Sequence, residues 1–149
     1  MIVSTNAQTS KGHMCSAEIT GGQTLNTAWV KKDLTFGGYA GDTDYFTVDS
    51  SSPHTSVTVK KAGVYLINFI LSVSNLPTSG ARLIPVVSQN NNIVQILHYD
   101  TGEGDGSIDM CVIITASTDD VIRFGMNGNN TSYTTNTWSR FQIAYLGGS

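Results

Sequence analysis

Acidic residues cluster in one glycine-rich segment, which reads DTGEGDGSID over residues 100–109. Its four carboxylates, at Asp100, Glu103, Asp105 and Asp109, are closely spaced hard oxygen ligands of the kind that Ca²⁺ prefers. The spacing does not match an EF-hand, because glycines stand where that loop needs oxygen ligands. Aspartate and glycine together are also typical of a solvated turn between strands. The segment is therefore either a weak calcium site or an acidic turn, and no cofactor is predicted.

Residues that act in catalysis elsewhere are scattered here. The sequence contains no GxSxG, GxxxxGK[ST] or HExxH motif. His13, His54 and His98 are 41 and 44 residues apart, which favours separate surface histidines over a metal site. Cys15 and Cys111 lack zinc-site spacing, and we expect two reduced, largely buried thiols. These observations predict a protein that is not an enzyme.

Composition restricts the partners of the chain. Charged residues make up 13% of the 149 residues, about half the usual share, and the formal net charge is −3. No more than two basic residues adjoin, which argues against a nucleic-acid interface. No stretch approaches the roughly 20 apolar residues of a membrane span, and the N-terminus does not resemble a secretory signal. We therefore expect synthesis in a cytosol, with no export signal and neither nucleic acid nor membrane as partner.

The elements that must position these residues are strands. Short β-branched and aromatic runs recur between Gly, Asn, Asp, Ser and Pro, and no stretch keeps the spacing of an amphipathic helix. This pattern predicts one all-β domain over residues 13–149, preceded by an N-terminal arm over residues 1–12. Ten strands are expected, near 13–20, 27–36, 44–48, 55–60, 63–74, 81–89, 92–98, 107–115, 120–126 and 138–146. So many short strands at this spacing indicate an antiparallel sandwich or barrel.

Two of these strands are apolar on both faces. In strand 63–74 one face carries Tyr65, Ile67, Phe69 and Leu71, while Val64, Leu66 and Ile70 lie on the other. Strand 107–115 repeats the pattern, with Cys111 and Ile113 on its second face. An exposed apolar sheet face invites aggregation unless it is covered. In a single all-β domain the expected cover is another copy of the chain.

Three segments, in order along the chain, carry a resemblance: VTVKKAGVYLI at 57–67, IITASTDDVI at 113–122 and FQIAYL at 141–146. The first resembles the strand F-T-x-P-x-x-G-x-Y-x-F of the tumour necrosis factor and complement globular-head superfamily. Thr58, Gly63 and Tyr65 match, whereas Val57, Lys60 and Ile67 replace Phe, Pro and Phe. The second resembles the family's apolar strand, acidic turn and next strand, and the third its closing strand.

The resemblance implies a ten-strand antiparallel jelly-roll sandwich that assembles as a three-fold homotrimer through one sheet. Carried over residue by residue, it implies nine residues that face the three-fold axis: Leu66, Asn68, Ile70, Asp109, Cys111, Ile113, Arg140, Gln142 and Ala144. For each, an ordinary surface or core position is the alternative. Asp109 and Arg140, if on neighbouring strands, would form ion pairs between subunits; otherwise they are solvated charges.

Function follows from a departure from that family. Its animal members are secreted and often follow a collagen stalk, whereas this chain has no secretory signal and no Gly-X-Y run. A signalling ligand is thus disfavoured, and a trimeric capsid decoration (cement) protein of a bacteriophage virion is predicted, with the major capsid protein or another virion protein as partner. The alternative is the tip of a phage fibre that binds a receptor or a cell-surface glycan.

The arm is expected to attach the trimer to its particle. Met1, Ile2 and Val3 form its one apolar cluster, and the residues after them are polar. Such a cluster can fill a groove or pair with a neighbouring sheet edge. The other interpretation is that the arm folds back on its own trimer.

Overall fold

The computed structural model describes residues 12–76, 80–96, 99–101 and 104–148, with the backbone alone at residues 81 and 99–101. Over these residues the chain is an all-β antiparallel sandwich of two sheets. The strands are β1 (Met14–Ile19), β2 (Lys32–Asp33), β3 (Phe36–Gly41), β4 (Phe46–Val48), β5 (Val57–Val59), β6 (Gly63–Leu76), β7 (Ala81–Gln89), β8 (Asn92–Ile96), β9 (Tyr99–Thr101), β10 (Gly104–Ala116), β11 (Val121–Gly128), β12 (Thr134–Thr135) and β13 (Arg140–Gly147).

Each sheet has a central path of five strands. Sheet I has the order β10-β6-β13-β1-β3, and β12 also pairs with β6. Sheet II has the order β4-β5-β11-β7-β8, with β2 beside β11 and β9 beside β7. The loop from β3 to β4 spans residues 42–45, so these two edge strands lie on one side of the sandwich. The opposite side is therefore formed by the edges β10 and β8.

The core lies between the sheets, and along most of β6 it is built by alternation of buried and outward-facing side chains. Tyr65, Ile67 and Phe69 on β6 are fully buried, as the sequence predicts. Phe124 of sheet II stacks on Phe141 of sheet I, with ring centroids 3.9 Å apart. Burying an aromatic or aliphatic side chain of this size stabilises the fold by about 1.5–3 kcal/mol. Truncating Phe124 to alanine should therefore cost about 3–5 kcal/mol, because a cavity remains.

The predicted strand at 27–36 is wrong. Within that range the structure has only β2, and the next strand begins at Phe36 and continues to Gly41. Trp29 has a φ of 62°, which strand geometry does not allow. The glycines at 37 and 38 do not end the strand, because β3 is a sheet edge with an irregular register against β1. Glycine at such an irregularity is typical of edge strands.

The strand count also differs from the prediction. The described residues form thirteen strand segments instead of ten, and five of these have only two or three residues. The segments β9 and β12 were not predicted, and β10 begins at Gly104, inside the predicted acidic turn. The predicted break between the strands near 81–89 and 92–98 is confirmed as a tight turn at Asn90 and Asn91. Both residues have positive φ, 51° and 69°, as the tight turn of a β7–β8 hairpin requires.

The two ends of the sandwich differ in the loops that they carry. Residue 13 pairs with the end of β13, since Tyr145 N–H donates to the His13 carbonyl at 2.9 Å. We call this the arm end; it also holds loops 42–45, 60–62 and 117–120. The opposite end, here the loop end, holds loops 20–31, 129–133 and 136–139. The described part of the chain contains no helix of the length and apolarity needed to cross a membrane.

Candidate functional site

The nine residues that the resemblance places at a three-fold axis lie side by side on the outer face of sheet I. They occupy three adjacent strands, β10, β6 and β13, in three rows of cross-strand partners. The rows are Asp109–Ile70–Arg140, Cys111–Asn68–Gln142 and Ile113–Leu66–Ala144. Their strand neighbours point inward and are buried or partly buried. We call these nine residues the sheet I face; its role in self-association stays a prediction.

The register that creates these rows depends on Gly63. This residue begins β6 with a φ of 155°, next to the end of β13. A Cβ added at Gly63 would collide with the carbonyl oxygen of Gly147 and with the Tyr145 ring. Glycine therefore allows the two backbones to approach closely. Any other residue would push β6 away from β13 and disturb the rows above it.

The sheet I face is apolar at one end and concave in the middle. Ile113 is 63% exposed, more than any other aliphatic side chain among the large exposed hydrophobics, and its row partners Leu66 and Ala144 are half-buried. A depression of about 440 Å³ lies over the other two rows and is lined mainly by Asn68, Ile70, Asp109, Cys111, Arg140 and Gln142. A concave, partly apolar surface of this kind is typical of an interaction site.

The ion-pair hypothesis assumed that Asp109 and Arg140 lie on neighbouring strands. The structure shows that they do not. Strand β6 separates them, with Ile70 opposite both Asp109 and Arg140. Two strand spacings place their backbones about 10 Å apart. The residue directly across from Arg140 on β1 is Glu18. Among the described residues, neither Asp109 nor Arg140 has an ion-pair partner within 4.0 Å, so both charges are open to a second copy.

The two cysteines differ from each other, and one prediction about them is wrong. Both are free thiols, but only Cys15 is buried, whereas Cys111 is exposed on the sheet I face. Burial raises the pKa of the Cys15 thiol to about 12 and outweighs hydrogen bonds that act in the other direction. Cys15 is therefore unreactive near neutral pH, and Cys111 is the accessible thiol.

The candidate calcium ligands are not brought together where the structure describes them. Glu103 and the side chain of Asp100 lie outside the described residues. Asp105 and Asp109 both belong to β10, and four extended residues separate them by about 13 Å. They cannot bind the same ion. Across residues 12–76, 80–96 and 104–148, no three His, Cys, Asp or Glu side chains converge as metal ligands.

The described histidines are hydrogen-bonded to nearby groups. His13 Nδ1 lies 2.7 Å from Asp42 Oδ2, and its ring stacks on Tyr45 at 3.8 Å. His54 Nδ1 lies 2.9 Å from the carbonyl oxygen of Asp49. His98, and the proposed anchoring residues Met1, Ile2 and Val3, lie outside the described residues.

The structure also shows surface features that the sequence analysis missed. On the edge strand β8, Ile93 and Ile96 are 53% and 41% exposed. At the loop end, Trp29 and Trp138 are 53% and 72% exposed. The sequence does contain a signal for the exposed β8. Its run NIVQI carries no charged residue, and charged residues normally protect an edge strand from pairing with another chain. Exposed tryptophans cannot be told from buried ones by sequence alone.

Comparisons with known proteins identify the fold. No known protein family matches the sequence, and no curated protein sequence is similar to it. The structure is similar to solved jelly-roll proteins of the tumour necrosis factor family. Eiger TNF from S. frugiperda aligns with a TM-score of 0.63 at 9% identity, over 93% of this chain and 94% of that one. Murine APRIL aligns with a TM-score of 0.61 at 8% identity, over 89% and 99%.

At such low identity, the likeness establishes the fold and nothing more. The chain has a TNF-like jelly-roll fold, which confirms that part of the resemblance.

Proposed function

We propose that this protein is a non-enzymatic structural protein of a virus particle, a homotrimer that decorates and stabilises a bacteriophage head. The observation that carries the trimer is the sheet I face: nine neighbouring residues, with Ile113 largely exposed. Two unpaired charges and a depression beside this apolar row offer complementary contacts to another copy. Self-association through this face agrees with the three-fold assembly that the resemblance implies.

A closed three-fold ring needs two different surfaces on each copy, because its interfaces are heterologous. The sheet I face supplies one of them. The second is the side formed by β10 and β8, which presents the exposed Ile93 and Ile96. Within the described residues, β8 pairs with β7 alone, so its outer backbone groups are open to a neighbour. Covering this edge in the trimer would remove an aggregation hazard.

Symmetry supports the proposal that the trimer decorates a capsid. Capsid lattices present three-fold positions, and three weak contacts made together reinforce one another. The proposed partner is the major capsid protein or another virion protein. Residues 12 and 13 lead from the arm into β1 at the arm end, so all three arms would leave the trimer on the same side. Met1, Ile2 and Val3 would then contact the particle, and the virion is the proposed location.

The position of the protein in a purified particle tests this proposal. Quantitative mass spectrometry of virions should find hundreds of copies, spread over the head. A few trimers at one tail would contradict decoration and support the fibre tip. A second test deletes residues 2–11: the truncated chain should remain a trimer but no longer bind particles. If truncated trimers decorate particles fully, the attachment surface lies in the loops.

One observation favours the alternative function, the tip of a phage fibre. The arm end and the exposed tryptophans lie at opposite ends of the sandwich. A trimer attached by its arms would therefore present Trp29 and Trp138 away from the particle. That arrangement suits a domain that contacts a cell-surface receptor, and the copy number separates it from decoration.

A further inference from the structure

The loop end exposes the large aromatic side chain of Trp29. Trp29 is 53% exposed, and the next residue, Val30, is 56% exposed. Tryptophan is highly buried on average, and an exposed one beside an exposed aliphatic residue is typical of a contact surface. Trp138 is more exposed still, but it lies two residues before Arg140 of the sheet I face. The inference depends on Trp29, because its backbone is bonded to Gly128 of sheet II and not to the sheet I face.

The backbone holds Trp29 in an unfavourable conformation. Its φ of 62° is in the left-handed region, which a bulky side chain rarely adopts. Two backbone hydrogen bonds fix it there: Trp29 N–H donates to the Gly128 carbonyl at 2.7 Å, and Val30 N–H donates to the Thr27 carbonyl at 3.3 Å. Strain that the surrounding structure maintains is found mainly at functional sites. Here it keeps an indole ring at the surface.

The neighbouring loop gives this position a rigid base. Next to Gly128, the Asn129 side chain accepts from Arg82 N–H at 2.9 Å and from the Tyr133 hydroxyl at 2.6 Å. It also donates to the Gly80 carbonyl at 2.6 Å. Tyr133 itself is fully buried. The surface around Trp29 is therefore formed before any ligand arrives, which lowers the entropic cost of binding.

The chemistry of this surface is polar with few charges. Residues 20–30 and 128–139 contain no Asp, Glu, Lys, Arg or His. Lys31, the last residue of loop 20–31, pairs with Asp33 at 2.7 Å, and the Lys32 ammonium donates to the Thr24 carbonyl at 2.6 Å. The arm end differs sharply, because its three loops contain four aspartates and two lysines: Asp42, Asp44, Lys60, Lys61, Asp119 and Asp120. In the same loop as Trp29, the exposed side chains of Asn26 and Thr27 offer amide and hydroxyl groups. A ligand that matches must be uncharged, with many hydroxyls and an apolar face.

A sugar ring has this combination of properties. Its C–H face packs on an aromatic ring, and its hydroxyl groups form hydrogen bonds with amides and hydroxyls. We propose that the surface formed by Asn26, Thr27, Trp29 and Val30 binds a neutral carbohydrate, with the Trp29 indole as the stacking platform. A trimer would gain from three such sites, because weak contacts made together reinforce one another. The inference does not depend on where the protein sits in a particle.

The test uses the full-length chain with Trp138→Phe, so that Trp29 is the one tryptophan that fluoresces. The probes are three neutral oligosaccharides, maltohexaose, cellohexaose and chitohexaose, titrated to about 10 mM to detect weak binding. At least one should shift the Trp29 emission in a saturable way. Heparin, an anionic polysaccharide, is the control probe and should produce no saturable shift.

A second measurement compares Trp29→Ala with the unsubstituted protein by ligand-observed NMR. The substitution should weaken binding of the same oligosaccharide at least tenfold, while an unchanged melting temperature shows that the fold is intact. Trp138→Phe should bind as the unsubstituted protein does. The proposal is overturned if none of the three oligosaccharides binds, if Trp29→Ala binds normally, or if heparin alone binds.

Discussion

Replacing Ile113 with aspartate should dissociate the proposed trimer without unfolding the protomer. Ile113 lies on β10, an edge strand of sheet I, and its side chain is 63% exposed in the single chain. Because it touches little of its own core, the substitution should cost the protomer less than about 1 kcal/mol. In the trimer the same position would be covered by a neighbour.

The magnitude follows from that difference. Full burial of an isoleucine is worth about 1.5–3 kcal/mol, so covering the exposed part of Ile113 contributes roughly 1–2 kcal/mol per chain. A carboxylate buried there without a partner costs about 3 kcal/mol more. Three chains together lose roughly 12 kcal/mol, which is more than eight factors of ten in the assembly constant. A trimer stable at micromolar concentration would not survive this change.

Sedimentation velocity at micromolar concentration is the assay, with circular dichroism to confirm the fold. Val30→Asp is the matched control, since Val30 is 56% exposed but lies in a loop outside sheet I. We expect Ile113→Asp to sediment as a folded monomer and Val30→Asp as a trimer. If Ile113→Asp stays a trimer, the sheet I face is not the interface.

Three further predictions concern charges and thiols. Asp109→Arg should weaken the trimer by about 3–5 kcal/mol per site, as measured by sedimentation equilibrium. Adding Arg140→Asp should restore the trimer. If the double variant dissociates further, the two charges do not pair between copies. Burial alone would raise the pKa of Asp49, but hydrogen bonds from Ser51, Thr55 and Ser56 hold it well below its usual range. Its contribution to stability is therefore full above an unfolded pKa of about 3.9 and is lost as the pH falls toward the lower folded value. Asp49→Asn should be about 2 kcal/mol less stable than the unsubstituted protein at pH 7. Thermal melts between pH 2 and 7 should show that this variant loses less stability on acidification than the unsubstituted protein does. Parallel stability curves for the two proteins would contradict this prediction. Iodoacetamide at pH 8 should modify Cys111 and leave Cys15 intact in the Ile113→Asp monomer. In the unsubstituted trimer, the modification of Cys111 should be slower. Mass spectrometry that finds Cys15 modified first would refute the assignment of Cys111 as the accessible thiol.

The sequence predicts the inner faces of the long strands well. Phe69 and Ile143 point into the core as their alternation requires, and Ile113 points away from it. Alternation is a local property, but burial follows it only where one face of the strand is open. On β7, which is paired on both sides, all residues from Leu83 to Ser88 are buried. The positions of the nine face residues follow from the same rule, once the order of the strands is given by the resemblance.

Edges and loops are less predictable, because distant contacts decide them. Gly37 and Gly38 look like a turn, yet they lie within β3 because a sheet edge tolerates an irregular pairing. Trp29 looks like a strand residue, yet its backbone is held by Gly128, which is far away in the sequence. The same limit applies to Asp109 and Arg140. Their residue types suggest a pair, but only the strand order shows that β6 separates them.

The mass of the native assembly tests the central claim most directly. Native mass spectrometry of the full-length protein at micromolar concentration should show one dominant species of about three times the chain mass of 15.9 kDa. Such a species would support the assignment of the sheet I face and the β8 edge as the two halves of one interface. A dominant monomer would contradict it and leave the exposed Ile113, Ile93 and Ile96 without an explanation.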